Sequence, residues 1–312
     1  MPAATRAERI SDSHREFRQE LFDTGLLRDG GLDGLYLRSA RFEQIVAGID
    51  ALVARTGAHH GAEVLHFPLL IPRLVLERSG YPRSFPDLTG VVHGFAGGEP
   101  AHSRLMQALD GNQPRQWTAQ LGVTDIALCS AACHPLYPSQ AGSLPPQGRV
   151  VEVHGQCFRR EPSVDPARMQ AFRQHEFVYL GTADGAQAHR DDWVHRALEL
   201  HRNLGLQVEA VVANDPFFGR AGRMLAANQR LENLKIEIVT PLYATSEPTA
   251  ITSANIHQDH FGDKFAILAD DGSTAHTACV GFGLERIALA LLRTHGLDID
   301  TWPADVGEAL GL

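Results

Sequence analysis

A chain of 312 residues, 44% hydrophobic and 21% charged, has enough apolar side chain for a real core but no run able to span a bilayer. Its formal net charge of −9 argues against a general polyanion-binding surface. The polar start, MPAATRAERISDSHREFRQE, and four cysteines without framework spacing lead us to expect no secretory signal and reduced thiols in the cytoplasm.

In chain order, roughly the first 35 residues read as a short helical extension. Residues 40–55 place Phe42, Ile45, Val46, Ile49, Leu52 and Val53 at helical spacing, an amphipathic helix. Strands are expected at 64–67 and 126–130, then a loop at 138–148 (PSQAGSLPPQG). Two further strands, 150–153 and 177–180, bracket a charged segment. Residues 191–204 predict a helix behind two aspartates suited to its N-terminus. Strands follow at 208–212, 236–239 and 265–268, and 284–294 is apolar on nearly all sides, as a buried helix is. Long helix-free gaps between strands predict an α+β fold, an antiparallel sheet flanked by helices, as one domain over 1–312.

Two segments concentrate charge where the pattern does not require it. The first, GQCFRREPSVDPARMQAFRQHEFVYLG, holds Phe158-Arg159-Arg160-Glu161 and then Arg173 to Phe177; by itself it reads as a hairpin with a solvated tip. The second, HTACVGFGLERIALALL, sets Gly281 and Gly283 before Glu285-Arg286 at the start of a buried helix. Alone, that pattern does not separate a phosphate-binding arginine from a helix cap.

Together the two segments resemble motifs 2 and 3 of class II aminoacyl-tRNA synthetases. EVLHFPLLIP (63–72) with SGYPRSF (79–85) resembles motif 1 and its sequel in the seryl branch, and AITSANIHQDHF (250–261) the seryl segment before motif 3. The resemblance spans about residues 40–295. It implies a clamp for bent ATP, whose phosphates suit the fixed forks of arginine. Arg159 would hold the α-phosphate and Arg286 the γ-phosphate. Glu161 would accept from the adenine amino group, Phe177 would stack on the base, and Arg173 would open the Arg-x-x-x-Phe half of motif 2. Mg2+ would enter with ATP. The seryl family's metal-binding glutamate aligns with Ala250 here, which leaves Glu247 as a displaced candidate and Glu237 for structure or substrate.

Common seryl enzymes follow the phenylalanine, four residues on, with a glutamate that contacts the amino acid; counted from Phe177 this falls on Gly181. Cys133, Glu176 and Cys279 instead match the zinc site of the archaeal, atypical seryl-tRNA synthetases. Two thiolates and a carboxylate would hold one Zn2+ per subunit, with a position open to the substrate's α-amine. The other use of Cys133 and Cys279 is as small core residues, and Cys129 is the rival ligand if the register shifts. His134 and His175 adjoin ligands and should point away, into supporting or surface positions.

No large N-terminal tRNA-binding domain is expected. A bare core of this size is similar to the bacterial amino acid:[carrier protein] ligases. That likeness implies activation of glycine or alanine with ATP and transfer to the phosphopantetheine thiol of an acidic carrier protein. Arg220, Arg223 and Arg230 would suit such a partner, or form a solvated helix face. It also implies a homodimer through residues 40–72, with neither tRNA nor membrane as partner. The alternatives are a truncated synthetase acting on tRNA and a silent paralogue; retention of Arg159, Glu161 and Arg286 argues against silence.

Overall fold

The computed structural model describes residues 6–111, 117–215, 232–243 and 248–312. Its centre is a seven-stranded sheet of β1 (Glu63–Phe67), β2 (Arg149–Phe158), β3 (Ala171–Gly181), β4 (Glu209–Val212), β5 (Lys235–Thr240), β6 (Thr249–Gln258) and β7 (His276–Gly283). The strand order is β4-β5-β6-β7-β3-β2-β1, antiparallel throughout except for the parallel edge pair β1–β2. Leu70–Pro72, Val91–Gly94 and Gly122–Leu128 form a separate three-stranded sheet.

Helices α1 (Arg6–Asp23), α2 (Ala40–Gly57), α3 (Ala183–Asn203), α4 (Leu284–His295) and α5 (Ala304–Leu310) complete the frame. Ser39 caps α2 by accepting from the Phe42 amide at 3.2 Å, and the helix buries the face of Phe42, Ile45, Val46, Ile49 and Val53 expected of it. α3 starts at Ala183, eight residues before its expected first residue, because Thr182 supplies the cap by accepting from the Gly185 amide. Its first two turns bury His189 and Arg190, polar residues that hide a helical face from a reading by hydrophobicity.

Three further expectations are corrected. The N-terminal extension is not helical throughout: α1 leads into a hairpin of Leu27–Leu32 and Leu35–Arg38. The strand expected at 265–268 is mostly a helix end. Phe265 closes the helix His260–Phe265, Ala266 takes a left-handed φ of 55°, and only Ile267–Leu268 is extended, pairing with Gly142–Ser143 inside the expected loop. The strand at 126–130 exists as Gly122–Leu128, in the smaller sheet.

Apolar packing covers both faces of the large sheet. On one, Phe42, Ile49, Phe177, Trp193, Phe282 and Leu289 join α2, α3 and α4 to the strands. On the other, Val151, Val178, Leu180, Tyr137 and Phe261 enclose a smaller cluster. Each such buried side chain contributes about 1.5–3 kcal/mol. Among the described residues no helix is long and apolar enough to cross a membrane.

Candidate active site

Alternation along β3 decides which side chains can meet a ligand. Phe172, Gln174 and Glu176 point to the smaller-cluster face, where the amide of Ala132 lies 3.2 Å from both Gln174 Oε1 and Glu176 Oε1. Arg173, His175 and Phe177 point the other way, towards α2, α3 and α4. The motif 2 residues expected to act together are thereby split between two sides of the sheet.

Phe177 is on the wrong side for a nucleotide. Its ring is fully buried, stacked on Trp193 at 4.3 Å between centroids, and so close to α2 that a Cβ on Gly57 would lie 2.0 Å from it. An enclosed ring has no face to offer adenine. Arg173 is likewise committed to structure. Its guanidinium donates to both Glu43 oxygens at 2.6 and 2.9 Å and to Glu285 at 2.8 Å, and its amide donates to Glu285 as well. Arg38 joins the same two carboxylates. Burial works against ionisation of Glu43, but the two arginines hold its carboxyl below the usual range. The network ties β3 to α2, α4 and the N-terminal hairpin.

The same Arg-x-x-x-Phe spacing occurs five residues earlier, as Arg168-Met-Gln-Ala-Phe172, and this copy faces the site. Phe172 is half-buried with the Arg159 guanidinium 5.4 Å from its ring centroid. Arg168 pairs with Glu161. Counted from Phe172, the position four residues on is Glu176 rather than Gly181, so the acid that had seemed missing is present.

Arg159 at the end of β2 donates through Nε to the Ser130 carbonyl at 3.2 Å. Arg286, in the first turn of α4, donates to the carbonyls of Ala167 (2.8 Å) and Ala250 (3.1 Å). Among the described residues neither guanidinium forms an ion pair. Burial lowers Arg286 from its ordinary value, and the positive charges of Arg168 and Arg159 push the same way. Only Arg168 of these three cations forms an ion pair among the described residues, so the cluster keeps a surplus of positive charge and makes a place for a polyanion. Ala250 contributes its carbonyl to Arg286, and Glu237 pairs with the buried Lys235 at 3.0 Å. Glu247 and Arg220, Arg223 and Arg230 lie outside the described residues.

Further along the same face, the turn after Ser130, mid-β3 and mid-β7 bring Cys133, Glu176 and Cys279 together. One donor atom from each lies within 4.8 Å of the others, and all three residues are buried. Gly281 stands directly opposite Glu176, where even a Cβ would come within 3.3 Å of Glu176 Cγ. Cys279 Sγ has Asn255 Nδ2 at 3.7 Å and His257 Nε2 at 3.6 Å. The contact with Cys133 and these donors lower the Cys279 thiol, while its partner Cys133 keeps the proton and is raised. Burial raises Glu176, whose Oε2 is enclosed without a hydrogen-bond partner. Three acidic groups sealed together with an orphaned oxygen fit a soft divalent cation such as zinc, and three protein donors leave one coordination position over.

The neighbours of this group sort as follows. Cys129 is buried and donates to the Ala131 carbonyl, outside the trio. His175 does point away, as expected. His134, expected in a supporting or surface place, is buried beside Tyr81 and Phe261, where burial lowers it to about 3. Sequence reasoning missed Asn255 and His257 because β6, which carries them, was not recognised as a strand.

A sheet of this order, with an arginine cluster at one end and the thiol–carboxylate trio beside it, defines a class II synthetase-type catalytic core. The M. kandleri seryl-tRNA synthetase, solved with A. aeolicus tRNASec, shares the fold with a TM-score of 0.80 over 94% of this chain and 60% of that one, at 22% identity. No family model matches the chain. Amino acid–[acyl-carrier-protein] ligases 2 and 1 of Bradyrhizobium diazoefficiens are 43% and 42% identical to it over 92% of its length, and over 86% and 88% of theirs. The chain belongs to the amino acid–[acyl-carrier-protein] ligase family.

Proposed function

We propose that this protein activates glycine or alanine with ATP and passes it to the phosphopantetheine thiol of an acidic carrier protein. The observation that carries the reading is a cluster of two arginines, without ion pairs among the described residues, at the end of the sheet beside the buried Cys133–Glu176–Cys279 group. Zn2+ held by those three residues would supply an open Lewis-acid position for the substrate's α-amine. The chain's own residues do the rest. Arg159 and Arg286 fix positive charge along the triphosphate, Phe172 offers a flat face to adenine, and Glu161, steadied by Arg168, accepts from its amino group. Mg2+ enters with the nucleotide.

A carboxylate oxygen of the amino acid bonds to the α-phosphorus as the bond to the pyrophosphate oxygen breaks. The carrier's sulfur then bonds to the carbonyl carbon as the C–O bond to AMP breaks. The first step needs positioning and charge stabilisation more than proton transfer, whereas the second also breaks the S–H bond, whose proton passes to solvent. Stacked rings beside Cys279, Tyr137 on Phe261 at 4.0 Å with His257 edge-on, favour a substrate with little side chain. One methyl is worth about 1–3 kcal/mol, so partial activation of the second substrate is expected.

The test is ATP–pyrophosphate exchange with glycine, alanine and serine, followed by transfer to carrier protein or to tRNA. Thioester on the carrier supports the proposal. Charging of tRNA with an inert carrier would replace it by the synthetase reading, and absence of exchange by a silent paralogue.

Replacing Phe172 and Phe177 should give opposite results. Phe172→Ala should raise KM for ATP about tenfold, since stacking on a base is worth about 1–3 kcal/mol. Phe177→Ala should cost about 3–5 kcal/mol of stability and leave KM for ATP unchanged in the folded fraction. Exchange kinetics and thermal melts read both, and the reverse pattern would restore Phe177 as the adenine platform.

A homodimer is also expected. Val64 on the edge strand β1, Leu70, Val123 and Ile126 on the smaller sheet, and Leu74 are all exposed, Leu74 by 70%. Sedimentation should give a dimer at micromolar concentration and a folded monomer for Leu74→Glu. A monomeric wild type would refute this.

A further inference from the structure

We propose that Asp50, His154 and His175 form a second, thiol-free metal site for a zinc-like divalent cation, on the helix side of the sheet. His154 on β2 and His175 on β3 are directly opposite each other, and Glu152, two residues before His154, shares their face. α2 lays Asp50 over the pair. Asp50 Oδ1 is 2.8 Å from His175 Nδ1 and 3.2 Å from His154 Nδ1. Glu152 Oε1 is 3.0 Å from His154 Nε2 and 3.1 Å from His175 Nε2, the last contact being badly angled for a hydrogen bond. The His175 side chain is wholly buried and that of Glu152 nearly so. His175 and Glu176 are neighbours pointing to opposite faces, so this group and the thiol trio lie on either side of the sheet.

Every ring nitrogen here lies within 3.2 Å of a carboxylate oxygen. A neutral imidazole carries one N–H and one lone pair, so two neutral rings leave two contacts in which a lone pair opposes a carboxylate oxygen. Protonating both rings would fill them, at the cost of two cations with centroids 4.0 Å apart. One dication among Asp50 Oδ1 and the two Nδ1 atoms removes both conflicts and leaves the His154 Nε2–H to donate to Glu152, with the His175 Nε2–H beside the same carboxylate at a poor angle. A carboxylate on the far nitrogen is the common orienting partner of a metal-bound histidine, and Glu152 fills that place for His154. Its charge also balances the two carboxylates.

The dimensions agree. Bonds of about 2.0–2.1 Å in a tetrahedron set ligand atoms about 3.3 Å apart, so separations of 2.8 and 3.2 Å need only a small outward shift. Two imidazoles and a carboxylate select zinc and its late first-row neighbours over magnesium or calcium. A cation there pins α2 to β2 and β3, away from the chemistry.

The experiment is a Co2+ titration of the full chain after metal stripping. Thiolate ligands give Co2+ an intense near-ultraviolet charge-transfer band that nitrogen and oxygen ligands lack. We expect one equivalent with that band and a second with visible ligand-field bands only. Asp50→Asn and His154→Gln should each remove the second equivalent and keep the first. Cys279→Ser should do the reverse, so failure of the thiol site and failure of this one read out separately. In Cys279→Ser, Co2+ should raise the melting temperature, and adding Asp50→Asn should cancel the rise. Asn is nearly isosteric with Asp at this half-exposed position, and circular dichroism checks that the variants compared are folded. Absence of a nitrogen–oxygen equivalent in the wild type overturns the proposal. So does an equivalent that survives both substitutions, or one lost in His59→Ala, from the group His59, His60 and Asp192.

Discussion

Arg159→Ala and Arg286→Ala should each reduce amino-acid-dependent ATP–pyrophosphate exchange by about 100- to 1,000-fold, with the fold retained. Removing one preorganised donor from a developing charge has costs of that order, and the triphosphate presents charge at both ends of the cluster. The side chains are half-buried and bonded to carbonyls rather than to acids, so neither truncation strands a carboxylate. Loss of Arg286 leaves the Ala167 and Ala250 carbonyls without that donor. At about 1–3 kcal/mol for each buried group left unpaired, this lowers the melting temperature without unfolding the chain. Arg159→Lys should recover only part of the activity, because a single ammonium cannot reproduce the planar fork. Exchange within tenfold of wild type in either alanine variant would remove that arginine from the clamp.

What was legible in the sequence follows from which faces are purely apolar. α2 and α4 were found nearly to their ends because their buried positions are filled by Phe, Ile, Val, Leu and Ala at a steady period. β6 and β7, at the heart of the sheet, were not found. One face of β6 carries Ser253 and Asn255, and the matching face of β7 carries Cys279 and Gly281. Residues chosen for chemistry interrupt the alternation that marks a strand. The apolar run at 265–268 misled in the opposite sense, since four apolar residues cannot separate a strand from a helix end. The error at Phe177 was avoidable. Glu176 had been assigned to the site, and neighbours on a strand face opposite ways, so Phe177 had to face the core. Parity along β3 and the earlier Arg168-x-x-x-Phe172 spacing both signalled the register the structure shows.

Cys279→Ser and Glu176→Gln should each abolish tight binding of Zn2+ at the thiol–carboxylate group and, with it, activation of glycine and alanine. The protons on that group make the claim specific. In the metal-free fold Glu176 is raised above the carboxylate range by burial, and Cys133 above the thiol range by its contact with Cys279 and by burial. Cys133 then holds a proton near neutral pH that a bound cation must displace, and Glu176 gives up its own at a higher pH than an ordinary carboxyl does. Affinity should therefore rise with pH, by up to about tenfold per pH unit for each proton released. Stability of the metal-free protein receives two opposed contributions from the group: the lowered Cys279 stabilises more as pH rises towards its unfolded value, and the raised Glu176 less. A carboxyl whose folded pKa is raised contributes stability that is complete below its unfolded pKa and is lost as pH rises through the folded one. Zn2+, bound more tightly as pH rises, should protect the fold more at pH 8 than at pH 6. Co2+ or Zn2+ titrations at both pH values, paired with thermal melts of stripped and loaded protein, measure the two effects together. Affinity independent of pH, or full exchange activity in stripped protein, would break the assignment of Cys133, Glu176 and Cys279 as the metal centre.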